Sequence, residues 1–312
     1  MGAPDWEARR WQALAAGIMI EAVAGSAYAF SVWSTNLKSE LAYTQAQVNN
    51  VGAVGDLGLY LSIAAGLLFD ATGPRTTLAY GAALSAAGYA LLWLSATRRV
   101  ASTPGLVALW AAVAWQGSGT LDVVAVAVGI NNFKHNKGAV MGIIKSLFGL
   151  SSAIFSLGYA CLLKPDTDSF LLLCCLAVPA VVGCTLYFHR LIPEAAAVRL
   201  APGQLRGLGV GYAAVAATAA YLVAMSLLQG RGVLAPQPWF AYLLVPAVAG
   251  HAALALPRAW LPRAWAAAEG AGGGQREGPQ PQEEEEEAEG GLGAKLLLHS
   301  GGRRLSTRQH RL

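Results

Sequence analysis

The sequence predicts an all-α membrane protein, and three observations support this fold class. Of the 312 residues, 55% are hydrophobic and only 13% are charged, about half the charged share of a soluble domain. The charges are unevenly placed, because residues 1–265 carry 10 acidic and 16 basic side chains whereas residues 266–312 carry 8 and 6. Apolar stretches reach the length of about 20 residues that a membrane-crossing helix needs. This composition excludes a soluble α/β enzyme, which needs more charges to cover its surface, and it excludes a disordered chain or a disulfide scaffold.

Eight apolar stretches are long enough to cross a membrane. They lack the two-residue alternation of transmembrane β-strands, which are also only about 9–11 residues long, so helices are predicted. The predicted spans are residues 11–33, 48–69, 76–96, 104–130, 139–163, 170–188, 208–228 and 239–256. Ten Lys and Arg residues fall on the N-terminal side of the membrane and five on the other side, which places the N-terminus in the cytoplasm.

Composition also divides the chain along its length. The longest connection between spans runs from Arg190 to Gly207, which predicts a cytoplasmic linker over residues 191–207 and two further transmembrane helices over 208–257. Residues 258–312 become Gly-rich, then rich in Pro and Gln, and contain five consecutive glutamates. Such a composition does not bury a core, so a disordered tail is predicted. The first apolar run is too long for a cleavable signal peptide, and we take the plasma membrane as the default location.

Residues for catalysis or metal binding do not cluster in the sequence. The four cysteines lie in or at the ends of apolar spans without metal-ligand spacing, so they are interpreted as small core residues. The five histidines are scattered, and no nucleophile–base set or phosphate-binding loop is found. We therefore expect a protein that is not an enzyme and that has no cofactor, no metal site and no nucleic-acid partner.

The connection between the second and third spans carries a spaced motif, Gly66-x-x-x-Asp70-x-x-Gly73-x-Arg75. Gly66 permits close approach of a neighbouring helix, and Gly73 with Pro74 favours a tight turn. Asp70 can pair with Arg75 or sit at the positive N-terminal end of another helix. The motif resembles the loop between the second and third helices of the major facilitator superfamily, and the resemblance implies a conformational latch that locks one access state. The alternative is an ordinary loop with one surface ion pair, worth under about 1 kcal/mol.

Further segments narrow the resemblance to the plant nodulin-like branch of that superfamily. They are residues 25–38, 45, 49, 55–58, 132–138, 142–145 and 149–151. For residues 1–190 the resemblance implies the six-helix N-terminal half-bundle of a transporter. Two departures stand out: Val113 occupies a position where many proton-coupled relatives carry Arg, and the superfamily has twelve helices where eight are predicted here.

Four ionisable residues fall deep inside predicted spans: Glu21, Asp56, Asp122 and Lys145. Each lies roughly 11–16 Å from a membrane surface, where a charge costs about 2.5–3.5 kcal/mol on insertion scales. They are therefore expected to face the bundle interior or water. The resemblance implies that the first and fourth helices line a central cavity, so Glu21 and Asp122 are the cavity candidates. The other two would lie nearer the interface between the halves.

Two interpretations of these charges remain open. In one, the carboxylates bind a proton or cation that drives transport, and Lys145 attracts an anionic substrate. In the other, Lys145 pairs with Asp56 or Asp122 as a static strut. Tyr28 and Gln116 join the candidate substrate or ion site as hydrogen-bonding groups, with core packing as the alternative for Tyr28.

Small residues recur at helical spacing in two spans. Gly52, Gly55 and Gly58 flank Asp56 at spacings of three residues, which predicts a packing seam. In the fifth span one helix face carries small residues with Lys145 in their middle: Gly138, Gly142, Lys145, Ser146, Gly149, Ser152 and Ser156. This face predicts either a sliding interface for alternating access or a static packing contact.

Two functions follow as hypotheses. The first is a multi-pass secondary transporter in the lipid bilayer that moves a small solute by alternating access, with an organic anion and proton coupling as the suggested chemistry. The second is a truncated, non-transporting paralogue that acts as an assembly or regulatory partner in a homo- or hetero-oligomer. The length favours the second hypothesis, because four more spans would be expected after the eighth.

Overall fold

The computed structural model describes residues 6–61, 63–193, 200 and 202–243, and these residues form helices without a β-strand. They belong to one compact unit, Met1–Trp265, whereas a second unit, Ala266–Leu312, lies outside the described residues together with the predicted tail. The α-helices of the described part are α1 (Trp6–Ala24), α2 (Phe30–Ser39), α3 (Gln45–Tyr60), α4 (Ile63–Thr72), α5 (Pro74–Ala96), α6 (Pro104–Asn132), α7 (Lys137–Gly158), α8 (Thr167–Thr185), α9 (Pro202–Gly230) and α10 (Pro238–Tyr242). A 3-10 helix, Gly25–Ala29, joins α1 to α2, and a π-helical turn, Tyr159–Leu163, follows α7.

Seven segments of the described chain are long and apolar enough to cross a membrane. They are Ala8–Ser39, Gln45–Thr72, Pro74–Ala96, Pro104–Asn132, Lys134–Leu163, Thr167–Thr185 and Leu208–Gly230. The first seven predicted spans agree with them, although the ends shift by a few residues and α8 stops before the predicted end at residue 188. The eighth predicted span begins with α10 and lies outside the described residues from residue 244 onward.

Local hydrogen bonds explain where two of the spans begin. The Thr44 hydroxyl accepts a hydrogen bond from the N–H of Gln47 at 3.3 Å, and Gln47 Oε1 accepts one from the N–H of Thr44 at 2.9 Å, a capping box that starts α3. Asp166 caps α8 by accepting from the N–H of Ser169 at 3.0 Å. Hydrogen bonds from Ser169 lower the pKa of the Asp166 carboxyl. Both caps mark the places where the chain re-enters the membrane from the predicted outer side.

The first span is broken at Gly25, where α1 changes to a 3-10 turn. A Cβ atom at Gly25 would collide with the carbonyl oxygen of Phe148 and would lie 2.7 Å from Cβ of Ser151. The missing side chain therefore lets α1 and α7 approach within backbone contact distance. The sequence did not predict this break, because residues 25–29 are as apolar and as small as their neighbours.

Glycines bring α3 and α6 into contact. Cβ atoms placed on Gly55 and Gly58 would overlap Trp115 and the backbone of Ala112, and one on Gly119 would overlap the carbonyl oxygen of Leu59. Close backbone approach of this kind is the usual source of helix association in lipid. The predicted packing seam along the second span is thereby confirmed, and Asp56, on the same helix, is left exposed.

A buried apolar cluster determines the depth at which three charged residues lie in the bundle. Ile20 on α1, Leu121 on α6 and Ile144 on α7 are all completely buried in one core cluster. Each is followed in the sequence by a charged residue. Packing of these three helices therefore places Glu21, Asp122 and Lys145 at the same depth of the bundle.

Only part of the predicted small-residue face of α7 contacts α9. The Tyr212 hydroxyl of α9 donates to the carbonyl oxygen of Ala139 at 2.8 Å and occupies the space that a side chain at Gly142 would need. In contrast, no other described part of the chain lies within 4 Å of a Cβ placed on Gly138 or Gly149. The α7–α9 contact thus uses one glycine of the predicted face and leaves two open.

Candidate functional site

The candidate site forms where α1, α6 and α7 meet. Glu21 comes from α1, Asp122 from α6 and Lys145 from α7. The structure brings these three predicted residues together. We call them the charged triad.

Lys145 and Asp122 form an ion pair between α7 and α6. The two side chains are 42% and 20% exposed, respectively, so the pair is accessible from one side of the bundle. The Lys145 ammonium also lies over the ring of Phe148, 4.9 Å from its centroid. Of the two partners predicted for Lys145, the structure selects Asp122 and not Asp56.

Glu21 forms the enclosed end of the triad. Its side chain is completely buried, and neither carboxylate oxygen meets a hydrogen-bond donor among the described residues. The group lies close enough to Asp122 to interact with its carboxylate, and the charge of Lys145 also reaches it. A buried carboxylate without a donor costs several kcal/mol. This cost falls on the ionised form of the carboxyl, and a proton bound there removes it.

Glu21 and Asp122, the two cavity candidates that the resemblance implied, differ in their exposure. In the structure Asp122 is partly exposed while Glu21 is sealed behind it. The reason is that Ile20 and Ala22, on either side of Glu21, pack into the same apolar core and draw this level of α1 inside.

Tyr28 joins the triad through Phe148. The Tyr28 and Phe148 rings meet edge to face with centroids 5.4 Å apart, and Phe148 carries the Lys145 ammonium on its face. Tyr28 is 44% exposed, and its hydroxyl lies beside Tyr60 and within electrostatic range of Asp56. The accessible side of the site therefore offers a cation, an aromatic face and phenolic hydroxyl groups.

Gln116 is the candidate that the structure leaves apart from the triad. It lies on α6, about 9 Å along the helix axis from Asp122, and its carbonyl oxygen accepts a hydrogen bond from Thr120 at 2.8 Å. None of its side-chain contacts joins it to Glu21 or Lys145 within the described residues.

Phe148 is the residue of the site that the sequence analysis missed. It lies one helical turn after Lys145 on α7, a spacing at which side chains meet. That spacing was available as a signal. Aromatic residues are common in apolar spans, however. Phe148 becomes a candidate site residue only because the structure places it between Lys145 and Tyr28.

The latch motif forms the predicted turn, but Arg75 binds a partner other than Asp70. Gly73 adopts a φ of +83° and Pro74 opens α5, which agrees with the predicted tight turn. Arg75, however, donates through Nη2 to the carbonyl oxygen of Tyr187 at 2.9 Å and forms no ion pair with Asp70. Asp70 is exposed, and no described heavy atom lies within 4 Å of a Cβ placed on Gly66. The close helix approach expected at Gly66 is therefore not seen.

A metal site needs several His, Cys, Asp or Glu side chains around one point. No group of three or more such side chains in the described part of the chain is arranged to hold a metal ion. The four cysteines are free thiols.

Comparison with known proteins identifies the family of this helical bundle. The Nodulin-like family matches residues 10–248, more than half of the chain. This chain belongs to the Nodulin-like family. Among curated proteins, Protein NUCLEAR FUSION DEFECTIVE 4 of Arabidopsis thaliana is 29% identical over 175 residues. The alignment covers 56% of this chain and 30% of that relative, so it spans less than a third of the relative's length.

Membership confirms the resemblance that the sequence motifs predicted. The Nodulin-like chain is a multi-pass, all-α integral membrane protein of the major facilitator type, which is a transporter superfamily. Neither matching name is that of an enzyme. The roles of the charged triad and the latch motif, and the boundaries of the predicted domains, remain predictions.

Proposed function

We propose that this Nodulin-like chain acts in secondary transport of a small organic anion by alternating access, with the charged triad as its central site. One observation carries the proposal. A completely buried glutamate that meets no donor among the described residues lies next to an accessible ion pair, near the middle of three predicted spans, where transporters commonly bind their substrate.

The exposed end of the triad suits an anion. A carboxylate solute that approaches Lys145 would compete with Asp122 for the ammonium and lie beside Phe148 and Tyr28. A charge-assisted hydrogen bond to lysine is about twice as strong as a neutral one. The aromatic rings would contact the apolar part of the solute.

The enclosed end suits a proton. When a solute takes Lys145, Asp122 loses its cation and stands next to the carboxyl of Glu21. Two carboxyl groups at one site are most stable when they share a proton, which also supplies the hydrogen bond that Glu21 lacks. One proton per monovalent anion makes the transported charge zero. We therefore propose proton–anion symport, with the plasma membrane as the location to be tested first.

Uptake of radiolabelled lactate into proteoliposomes tests the site, with a proton gradient imposed across the membrane. Lys145→Ala should abolish uptake because it removes the cation. Glu21→Gln should abolish proton-driven accumulation and leave lactate exchange measurable. Asp122→Asn should weaken the dependence of uptake on the gradient, since it leaves one carboxyl where two shared the proton.

Matched controls are available on the surface. Lys38 and Glu40 are exposed at the end of α2, so Lys38→Ala and Glu40→Gln should leave uptake within about twofold of the unmodified protein. Unchanged uptake in all three triad variants would show that the central site is assigned wrongly.

The exposure of Asp56 favours a second candidate function, assembly with another membrane chain. Asp56 lies in a predicted span yet is exposed on α3, next to a row of exposed apolar residues that includes Leu57, Tyr60 and Leu61. A charge facing lipid costs a few kcal/mol, which a partner helix offsets. Single-molecule photobleaching in nanodiscs distinguishes a monomer from an oligomer. If assembly is the function, Asp56→Leu should reduce the oligomeric fraction. Lactate uptake should then be absent from the unmodified protein and from every variant.

A further inference from the structure

Three arginines gather at one end of the bundle. Arg9 lies near the start of α1, Arg75 is the second residue of α5, and Arg190 follows α8. Successive spans run in opposite directions, so the starts of the first and third spans and the end of the sixth lie on the same membrane face. We call Arg9, Arg75 and Arg190, grouped around Tyr187, the arginine cluster.

Two of the guanidinium groups share one acceptor. Arg75 Nη2 and Arg190 Nε both donate to the carbonyl oxygen of Tyr187 at 2.9 Å. Their Cζ atoms lie 5.5 and 4.0 Å from the centroid of the Tyr187 ring. The two cations therefore stand close together, and Arg9 lies within electrostatic range of the same phenol.

In the part of the chain that the structure describes, the cluster holds positive charge without a matching carboxylate. Within the described residues no acidic side chain pairs with Arg9, Arg75 or Arg190, and Asp70, five residues before Arg75, forms no ion pair with it. The hydrogen bond from Arg190 and then its charge lower the pKa of the Tyr187 phenol, to which Arg9 and Arg75 add. Each guanidinium has five N–H donors, so most of them remain available to an anion.

The start of α5 adds a second source of attraction. Gly73, with its φ of +83°, turns the chain so that α5 begins at Pro74 directly before Arg75. The first N–H groups of a helix lack intrahelical partners and carry the positive end of the helix dipole. An anion held by Arg75 and Arg190 therefore also lies near the N-terminus of a 23-residue helix.

The surroundings of the cluster point to a lipid. Tyr187 is 65% exposed, its ring packs against exposed Phe188 with centroids 5.5 Å apart, and Leu191 is exposed beside them. These residues follow directly after the sixth span, at the level where headgroups meet acyl chains. Exposed aromatic residues at that level are typical of membrane interfaces.

We propose that the arginine cluster binds the phosphate of an anionic phospholipid in the adjacent leaflet. The phosphate oxygens bridge Arg75 and Arg190, Arg9 contributes charge, and Tyr187, Phe188 and Leu191 contact the glycerol and upper acyl chain. Planar guanidinium groups match phosphate geometry by paired hydrogen bonds. The bound lipid connects the start of α5, which belongs to the latch motif, to the chain that follows α8.

Native mass spectrometry of the purified full chain, titrated with phosphatidylglycerol, tests the proposal. Each arginine near an anionic headgroup contributes about fivefold in affinity, so Arg75→Gln with Arg190→Gln should lower retention of phosphatidylglycerol by about 25-fold. The matched control changes two exposed arginines at the opposite end, Arg99→Gln with Arg231→Gln, and should alter retention by less than about twofold. Phosphatidylcholine should bind the unmodified protein more weakly than phosphatidylglycerol.

Several outcomes overturn the proposal. The site is assigned wrongly if the glutamine variant retains as much phosphatidylglycerol as the unmodified protein. The same holds if the control variant loses as much phosphatidylglycerol as the glutamine variant. Displacement of phosphatidylglycerol by inorganic phosphate at the same concentration shows that a soluble anion is the occupant. Arg75→Lys with Arg190→Lys keeps the charge, so this variant should retain more phosphatidylglycerol than the glutamine variant, while the two variants melt at the same temperature. Equal retention by the lysine and glutamine variants contradicts an electrostatic basis for binding.

Discussion

The hydroxyl of Ser151 on α7 donates a 2.8 Å hydrogen bond to the carbonyl oxygen of Ala22 on α1. Ser151 is completely buried, and Ala22 directly follows Glu21. The bond spans the place where Gly25 lets the two helices approach. It therefore fixes the separation of α1 and α7 at which Glu21 meets the Asp122–Lys145 pair.

Loss of this hydrogen bond should loosen the contact between the helices. Ser151→Ala leaves the carbonyl oxygen of Ala22 without its side-chain donor in an enclosed position, which costs about 1–3 kcal/mol. Thermal unfolding in detergent should show a lower melting temperature. Ser152→Ala, one position along the same helix and only partly buried, should show a change of less than about 0.5 kcal/mol. Equal effects of the two variants would contradict the role given to Ser151.

Enlargement of Gly58 should separate α3 from α6. A Cβ at this position would overlap the carbonyl oxygen, carbonyl carbon and Cα of Ala112, none of which can rotate away. Gly58→Ala is therefore expected to destabilise the protein by about 1–3 kcal/mol despite the higher helix propensity of alanine. A Cβ at Gly183 on α8 meets no neighbouring element of the described residues within 4 Å, so Gly183→Ala should stabilise the protein or leave it unchanged. Melting temperatures of the pair provide the comparison.

Removal of the Phe148 ring should weaken solute binding if the proposed transport function is right. The ring carries the Lys145 ammonium and packs against Tyr28, so Phe148→Ala should raise the apparent KM for lactate uptake by about fivefold, the equivalent of a cation–π contact near 1 kcal/mol. Phe148→Tyr retains the aromatic face and should keep KM within about twofold. A fall in kcat with unchanged KM would place Phe148 in conformational change and not in binding.

The sequence predicted the spans well because length and apolarity alone decide whether a segment crosses a membrane. The packing seam at Gly55 and Gly58 was also predictable, since small residues at a spacing of three lie along one stretch of helix. The break at Gly25 was not, because its cause is the backbone of Phe148 on a distant helix. The residues around Gly25 in the sequence do not indicate a contact with a distant helix.

The arrangement of the site was only half predictable. Depth along each span follows from counting residues, and the structure brings Glu21, Asp122 and Lys145 to one level of the bundle, as that count predicts. Rotation of each helix did not follow, because spans that are apolar all round show no polar stripe to orient them. Sequence reasoning therefore left Asp56 and Asp122 as equal partners for Lys145, and it did not predict that Glu21 is completely buried while Asp122 is partly exposed.

Asn132 should matter more for stability than its neighbour Asn131. Asn132 is buried at the end of α6, where its Nδ2 donates to the carbonyl oxygen of Arg190 at 2.8 Å and its Oδ1 accepts from the N–H of Ile192 at 3.0 Å. Asn132→Ala removes both bonds, so it should cost about 2–4 kcal/mol. Asn131 is exposed and bonds only within its own helix, so Asn131→Ala should cost under about 1 kcal/mol. Denaturation in detergent measures both, and equal losses would contradict the docking of the linker on Asn132.

His189 should make stability depend on pH. The ring is completely buried after α8, with Nδ1 3.3 Å from the carbonyl oxygen of Thr185 and Nε2 without a partner among the described residues. Burial lowers the pKa of His189 to about 4, whereas an unfolded histidine titrates near 6.5. The unfolded chain therefore binds a proton that the folded chain does not between these two values. Stability is complete above about pH 6.5 and declines as the pH falls toward 4.

The expected loss is about 2 kcal/mol between about pH 7.5 and about pH 5, because the pKa values of the two states differ by about 2.5 units. Melting curves of the purified protein at the two pH values measure it. His189→Gln removes the titrating group, so its melting temperature should vary less with pH even though its stability at pH 7.5 is lower. His135 is exposed on the same membrane face, and His135→Gln should keep the full pH dependence of the unmodified protein. A pH dependence that persists in His189→Gln would assign it to other groups, since neutral glutamine cannot take up the proton.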